Sequence, residues 1–227
     1  MAPLEAAGVT RLDSARELAR KARYVVMAVK PYQIEALLAG MAPEFGPDTV
    51  VISVAAGISI ARLQAAVAGR CPVVRCMPNT PALVGKGVFA LCFDDKVPAE
   101  SKEDILRFFS QLGVCLELPE SRFTAFSALI GAGPAYVFGM MQGLVQAGVT
   151  LGLGRKDCRD MVAALFEGSA VMAARSDTPL MELRDQVCSP GGLTIAGVNV
   201  LDRAGLSGLL VDAVLAADER GREMEKE

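Results

Sequence analysis

The sequence predicts an α/β domain in residues 1–119 followed by an all-helical domain in residues 120–227. Between residues 24 and 119, short runs rich in valine and isoleucine alternate with amphipathic stretches, which is typical of strands and helices in a parallel sheet. After residue 120 only long helical patterns follow. The chain has 227 residues, 52% of them hydrophobic, so it is long and apolar enough to form both cores.

Five apolar runs are the predicted strands. They are YVVMAV (24–29), TVVISVAA (49–56), CPVVRCM (71–77), VFALCF (88–93) and GVCLELP (113–119). The first three are apolar on both faces, as buried parallel strands are. Because helical stretches separate the strands, we expect a parallel sheet with right-handed crossovers.

Helices are predicted between and after these strands. Ser59 and Ser101 are predicted N-caps, since an apolar helical pattern follows each of them. The predicted helices cover 31–45, 59–69 and 98–113 in the first domain, and 121–151, 155–175, 191–204 and 206–226 in the second.

The stretch from Gly131 to Gly133 imitates the opening of a dinucleotide-binding fingerprint. Tyr136 stands where the third glycine would fall, and the preceding residues have helical spacing. We therefore predict a break between two helical segments, with Pro134 in the first turn of the second. Such a break would let the backbone approach the active site or a partner subunit closely.

The composition excludes several kinds of chemistry. The chain has no histidine, so a serine–histidine triad is impossible and any proton transfer must use other groups. The formal net charge of −3, the 5% of aromatic residues and the absence of tryptophan argue against a nucleic-acid partner.

The six cysteines predict a reducing compartment rather than a metal site. They are scattered without a C-x-x-C pair, and we expect small buried apolar side chains. The N-terminus lacks the pattern of a signal peptide. Glycines and Pro134 interrupt the uncharged stretch 125–154, which we expect to pack as a helix rather than to span a membrane. The expected location is therefore the cytoplasm.

Three loops follow the predicted buried strands, at the sheet edge where α/β proteins bind ligands. Lys30 lies in the first loop, before Pro31, and is either a ligand contact or a solvated turn lysine. The second loop, Ala55-Ala56-Gly57, would admit a flat ring or simply allow close packing. The third, residues 75–81, is stiffened by two prolines and presents amide and hydroxyl groups.

A fourth candidate site lies in the helical domain, at Ser189-Pro190-Gly191-Gly192. Two glycines before a helix expose successive backbone N–H groups at the positive end of the helix dipole. This turn is either a carboxylate or phosphate site or an ordinary helix start.

Together these motifs resemble the pyrroline-5-carboxylate reductase family. The resemblance rests on A-V-K-P (28–31), S-V-A-A-G (53–57), R-C-M-P-N-T-P (75–81), G-A-G-P-A-Y (131–136) and S-P-G-G-L-T-I-A-G (189–197). It implies an incomplete Rossmann-like domain followed by a helical dimerisation domain. It also implies reduction of the C=N bond of 1-pyrroline-5-carboxylate to L-proline with NADPH or NADH, in a homodimer that often assembles further.

The resemblance also implies the site residues. The cofactor would contact Ala28, Val29, Lys30, Pro31, Val54, Ala55, Ala56, Asn79 and Thr80. The substrate would contact Gln186, Ser189, Gly191, Gly192, Leu193 and Thr194. The backbone amides of Leu193 and Thr194 would hold the substrate carboxylate. The Thr194 hydroxyl, the expected catalytic group, would face the ring nitrogen.

Some features depart from the family pattern. The family begins with a strand and a glycine-rich phosphate turn, so the resemblance implies that roughly 40 residues, one β-α-β opening, are missing here. Gln186 stands where the family has an asparagine, and Leu193 is bulkier than the usual residue and would narrow the pocket.

Two other functions remain open. One is a related two-domain hydroxy-acid dehydrogenase, but such enzymes use a lysine or histidine acid in the helical domain. Lys156 is the only lysine here between residues 103 and 225. The other is a non-catalytic protein that dimerises through its helical domain, which the missing opening would favour.

Overall fold

A computed structural model describes residues 5–225 of the chain, and these residues form two compact units. One unit extends to Ala132 and also includes the residues from Asp218 onward, whereas the other is Gly133–Ala217. The first unit contains a sheet with helices, and the second is entirely helical. The predicted fold class is therefore confirmed. The single boundary between residues 119 and 120 stays a prediction.

The sheet of the first unit has five strands in the spatial order β1-β2-β3-β4-β5. The strands are β1 (Tyr24–Met27), β2 (Val50–Ser53), β3 (Val73–Met77), β4 (Gly87–Phe93) and β5 (Gly113–Glu117). β1, β2 and β3 are parallel, and β4 and β5 are parallel to each other. The carboxyl ends of the first three strands therefore lie at one edge of the sheet.

The expectation of an all-parallel sheet is wrong at β4, which pairs antiparallel with β3. A parallel connection needs a crossover of about a dozen residues or more. Residues 78–86, which join the two strands, contain only a short 3-10 turn, Thr80–Val84. The chain therefore turns back instead of crossing over.

Helices cover both faces of the sheet. They are α1 (Ala15–Lys21), α2 (Pro31–Met41), α3 (Ile60–Ala66), α4 (Ala99–Ser110) and α5 (Phe123–Phe126). Val51 of β2 packs in one buried cluster with Leu38 and Leu63, and its neighbour Ile52 packs in another with Ile105. This alternation follows from the two-residue period of a strand.

One predicted N-cap is confirmed and the other is wrong. The Ser59 hydroxyl accepts a hydrogen bond from the Arg62 N–H at 3.2 Å, at the start of α3. Ser101 is buried inside α4, because that helix already begins at Ala99 with Pro98 as its N-cap. Glu100 favours this earlier start, since an acidic side chain in the first turn complements the helix dipole.

The expectation that β1 is buried on both faces is also wrong. Val26 is 45% exposed, whereas Val25 and Met27 on the opposite face are buried. β1 is an edge strand among the described residues, and an apolar groove beside Tyr24, Val26 and Phe108 is open to solvent. β2 and β3 are buried throughout, apart from partial exposure of Met77.

The second unit is formed by long helices and the turns between them. The helices are α6 (Gly133–Thr150), α7 (Arg155–Ala174), α8 (Leu180–Gln186), α9 (Leu193–Arg203) and α10 (Leu206–Met224), of which the last extends into the first unit. Val145, Cys158 and Val162 form a small buried cluster between α6 and α7. The sequence did not predict α8, because seven residues between two turns carry little periodicity.

One segment of residues 5–225, Glu120–Thr150, is long and apolar enough to cross a membrane by length and composition. A single segment of this kind is weak evidence, because core helices of soluble proteins pass the same test.

Candidate active site

The three loops expected to contact a cofactor are brought together by the first unit. They follow β1, β2 and β3, which are adjacent and parallel. The Val54 N–H donates to the Met27 carbonyl at 3.2 Å, which joins the end of β2 to the end of β1. The residues of all three loops therefore lie at the carboxyl edge of the sheet, where α/β proteins bind ligands.

The side chains at this edge are mostly small and open to solvent. The exposed residues are Ala28, Val29, Lys30, Ala56 and Thr80, and the half-buried ones are Pro31, Val54 and Asn79. Ala55 is buried, with 7% exposure, and its N–H donates to the Ser53 hydroxyl at 3.3 Å. A ligand at this edge would therefore meet small side chains and backbone.

Lys30 has a fixed backbone and an exposed ammonium group. Its carbonyl accepts from the Gln33 N–H at 2.9 Å, and its own N–H donates to the Gln33 side chain at 3.3 Å. These bonds hold the start of α2 at the end of β1, with Pro31 as the first helical residue. A positive charge is thereby presented at the carboxyl edge of the sheet.

The Asn79 side chain uses both its amide oxygen and its amide nitrogen in hydrogen bonds to the backbone, which the sequence did not reveal. Its Oδ1 accepts from the Val88 N–H at 2.9 Å, and its Nδ2 donates to the Ile130 carbonyl at 3.3 Å. Asn79 therefore joins the loop after β3 to β4 and to the helical segment around Ile130. The amide predicted to lie near the nicotinamide also has a structural function.

We expect Asn79→Ala to lower the free energy of unfolding by about 2 kcal/mol, because the half-buried Val88 N–H loses its acceptor. Urea unfolding followed by circular dichroism measures the change. Asn199→Ala, at an exposed position on α9, is the matched control and should change stability by less than about 0.5 kcal/mol. Equal losses of unfolding free energy in the two variants would contradict a structural function for the Asn79 hydrogen bonds.

The predicted break at Gly131-Ala132-Gly133 is present. A π-helical turn, Ser127–Gly131, ends there, and α6 begins at Gly133 with Pro134 in its first turn. A Cβ at Gly131 would lie 2.9 Å from the Met77 methyl group, so the glycine lets the helical backbone approach the end of β3. π-turns of this kind are frequent at functional sites.

The turn before α9 has the geometry expected of an anion site. Gly191 has a φ of 68°, which glycine adopts readily, and Gly192 is the N-cap of the helix. The Gly192 N–H donates to the Ser189 carbonyl at 3.0 Å. No side chain caps α9. The N–H groups of its first turn are therefore available to a ligand.

The predicted substrate residues lie along the chain just before and at this uncapped helix start, and all of them except the half-buried Gly192 are exposed. Leu193 is 95% exposed at the first helical position, and Thr194 follows it at the second, also exposed. Gln186 is exposed at the end of α8. These residues belong to the helical unit, whereas the strand-end loops belong to the α/β unit.

Two buried cysteines of the first unit, Cys71 and Cys76, are poor nucleophiles. Burial raises the pKa of the Cys76 thiol to about 12 and that of Cys71 to about 11. Both therefore remain protonated thiols at neutral pH, which removes them as nucleophiles. Within residues 5–225, no group of three or more cysteine, aspartate or glutamate side chains could hold a metal ion.

These features define a class of protein. An α/β unit with small-residue loops at its carboxyl edge, joined to a helical unit with an uncapped helix start, is typical of two-domain nicotinamide-dependent oxidoreductases. The family described as pyrroline-5-carboxylate reductase dimerisation matches residues 120–224. A pyrroline-5-carboxylate reductase of Corynebacterium melassecola is 37% identical, over 96% of this chain and 82% of that protein. The chain belongs to the pyrroline-5-carboxylate reductase family.

Further relatives agree with this assignment. The pyrroline-5-carboxylate reductase of Pseudomonas aeruginosa is 37% identical, over 94% of this chain and 78% of that protein. The solved structure of Plasmodium falciparum pyrroline carboxylate reductase with NADP bound is 34% identical and superposes with a TM-score of 0.88, over 94% of this chain and 81% of that one.

Proposed function

We propose that this chain reduces 1-pyrroline-5-carboxylate to L-proline with NADPH or NADH as the hydride donor. The observation that carries the proposal is the uncapped start of α9 at Gly192, in a chain that is 37% identical to a reductase of this name. The family assignment favours an imine substrate over the hydroxy acid considered above. A chain that dimerises without catalysis is an outcome of the test below.

The carboxyl edge of the sheet fits the nicotinamide half of the cofactor. Exposed alanines at positions 28 and 56 leave room for a flat ring and a ribose, and Lys30 offers a positive charge for phosphate. When bound, the cofactor supplies the hydride. The nine residues expected at this edge would place it, with Asn79 and Thr80 near the reacting ring.

The start of α9 fits the carboxylate of the substrate. The backbone N–H groups of Leu193 and Thr194 lie in the uncapped first turn, at the positive end of the helix dipole. Ser189, Gly191 and Gly192 would shape this turn, and Gln186 would border the ring. A carboxylate bound there would be held in one orientation by the two N–H groups.

The absence of histidine is compatible with this reaction. A protonated cyclic imine is already electrophilic at carbon, so placement and a carboxylate clamp matter more than a strong protein acid. The hydride reduces the carbon of the C=N bond, and the nitrogen becomes the amine of proline. The Thr194 hydroxyl would hydrogen-bond this nitrogen as its charge changes.

We further propose that the helical unit associates with a second copy of the chain. The matched dimerisation region contains many exposed apolar side chains, among them Phe138, Leu165 and Leu209. Burial of this surface against a second copy would also cover the apolar segment Glu120–Thr150. The six free thiols fit a cytoplasmic protein.

The test is NADPH oxidation by the purified chain with 1-pyrroline-5-carboxylate, followed by the absorbance of NADPH and by detection of proline. We expect substrate-dependent turnover, with none on a 2-keto acid. Turnover on the keto acid alone would favour a hydroxy-acid dehydrogenase. A folded dimer that binds neither NADPH nor NADH and turns over with neither would favour the non-catalytic alternative.

A further inference from the structure

Arg75 is a charged side chain inside an otherwise apolar strand. It lies in β3, where its side chain is only 6% exposed. Removing a guanidinium from water is costly unless charged partners and hydrogen bonds compensate for its hydration. The partners of Arg75 therefore indicate why the strand contains it.

Arg75 has three partners in the first unit, two from the helical stretch that follows β5 and one from the residues after α10. Its Nη1 donates to the Glu120 carboxylate at 3.0 Å, and its Nη2 donates to the Glu225 carboxylate at 3.2 Å. Its guanidinium also lies 4.7 Å from the centre of the Phe123 ring. The planar fork of arginine can satisfy two carboxylates at once, which a lysine cannot do in this geometry.

Glu120 extends this arrangement to the loop after β2. The same Oε1 atom that accepts from Arg75 also accepts from the Ile60 N–H at 2.7 Å. Ile60 is the first residue of α3, directly after the loop 54–59 that carries three of the expected cofactor contacts. One carboxylate oxygen therefore joins β3 to the end of this loop.

We propose that Arg75 and Glu120 are positioning residues, which hold the loop 54–59 at a fixed distance from the end of β3 for binding of the nicotinamide cofactor. The inference rests on the proposed function. The loop begins at β2, where Val54 is bonded to Met27, and it ends at Ile60, where Glu120 holds it. Without Glu120 the Ile60 N–H loses its carboxylate acceptor and the loop loses its bond to β3, so part of the cost of ordering the loop would fall on cofactor binding and lower the affinity.

The experiment compares Glu120→Ala with Glu120→Gln. Glutamine keeps an oxygen that can accept from both Arg75 and Ile60, whereas alanine removes both hydrogen bonds. NADPH affinity is measured by calorimetric titration, the KM for NADPH and kcat by steady-state kinetics, and the mobility of residues 55–61 by hydrogen exchange. Glu35→Ala is the matched control, because it removes the Arg62–Glu35 ion pair of 2.6 Å from the exposed side of α3.

We expect Glu120→Ala to raise the Kd and KM for NADPH about tenfold with kcat within about twofold, and to speed exchange in residues 55–61. Glu120→Gln should restore affinity to within about threefold, and Glu35→Ala should leave it unchanged. Unchanged NADPH affinity in folded Glu120→Ala would overturn the positioning function alone. Failure of the unchanged chain to bind either NADPH or NADH would overturn the proposed function, and this inference with it.

Discussion

Replacing Thr194 with alanine is expected to lower turnover of 1-pyrroline-5-carboxylate about 100-fold, while the Kd for NADPH changes less than about twofold. In the proposed reaction, alanine removes the hydroxyl that would hydrogen-bond the reacting nitrogen, an interaction that would strengthen as the imine becomes an amine. Thr194 lies in the helical unit, at the second position of an uncapped helix, whereas the expected cofactor contacts lie in the α/β unit. The two effects should therefore separate.

Thr194→Ser is the matched variant, since it keeps the hydroxyl and loses only a methyl group. We expect it to retain turnover within about fivefold of the unchanged chain. Steady-state kinetics with 1-pyrroline-5-carboxylate and calorimetric titration with NADPH measure both quantities. A larger loss of NADPH affinity than of turnover in Thr194→Ala would contradict the function proposed for this hydroxyl.

Much of the fold could be predicted because the sequence patterns have a simple physical origin. A buried parallel strand must be apolar on both faces, and β2 and β3 show this. A glycine pair before a helix leaves its first N–H groups uncapped, and α9 begins as expected. These features depend on local sequence, so they could be recognised without knowledge of the tertiary structure.

The features that the sequence did not reveal depend on distant contacts. Asn79 is bonded to residues 9 and 51 positions away, and Arg75 is bonded to Glu225, 150 positions away. Nothing in the local pattern around either residue identifies these partners. The one available signal was a charged residue, Arg75, within an apolar strand, because such a residue must find partners.

The errors at the sheet also have a physical cause. The antiparallel direction of β4 could have been predicted from the short connection after β3, which leaves no room for a crossover helix. The exposed face of β1 could not have been predicted, because apolar composition does not distinguish a central strand from an edge strand.

Replacing Gly113 with alanine should destabilise the α/β unit more than any surface change, by about 3 kcal/mol or more in the free energy of unfolding. Gly113 begins β5 with a φ of 152°, a conformation that side chains strongly disfavour. It pairs directly with Gly87 of β4, and a Cβ at position 113 would overlap the backbone of Gly87. Backbone cannot move aside as a side-chain end can, so the two strands would have to separate locally.

The control for this prediction is Gly40→Ala, inside α2. A Cβ there would meet no atom within 4 Å, and the position has ordinary helical geometry. Alanine should stabilise that helix by about 0.5 to 1 kcal/mol, because it restricts the unfolded chain. Urea unfolding of both variants at one fixed protein concentration keeps any dimerisation constant. A loss below about 1 kcal/mol in Gly113→Ala would mean that the start of β5 can move away from Gly87 at little cost, and that this close approach is not required by the sheet.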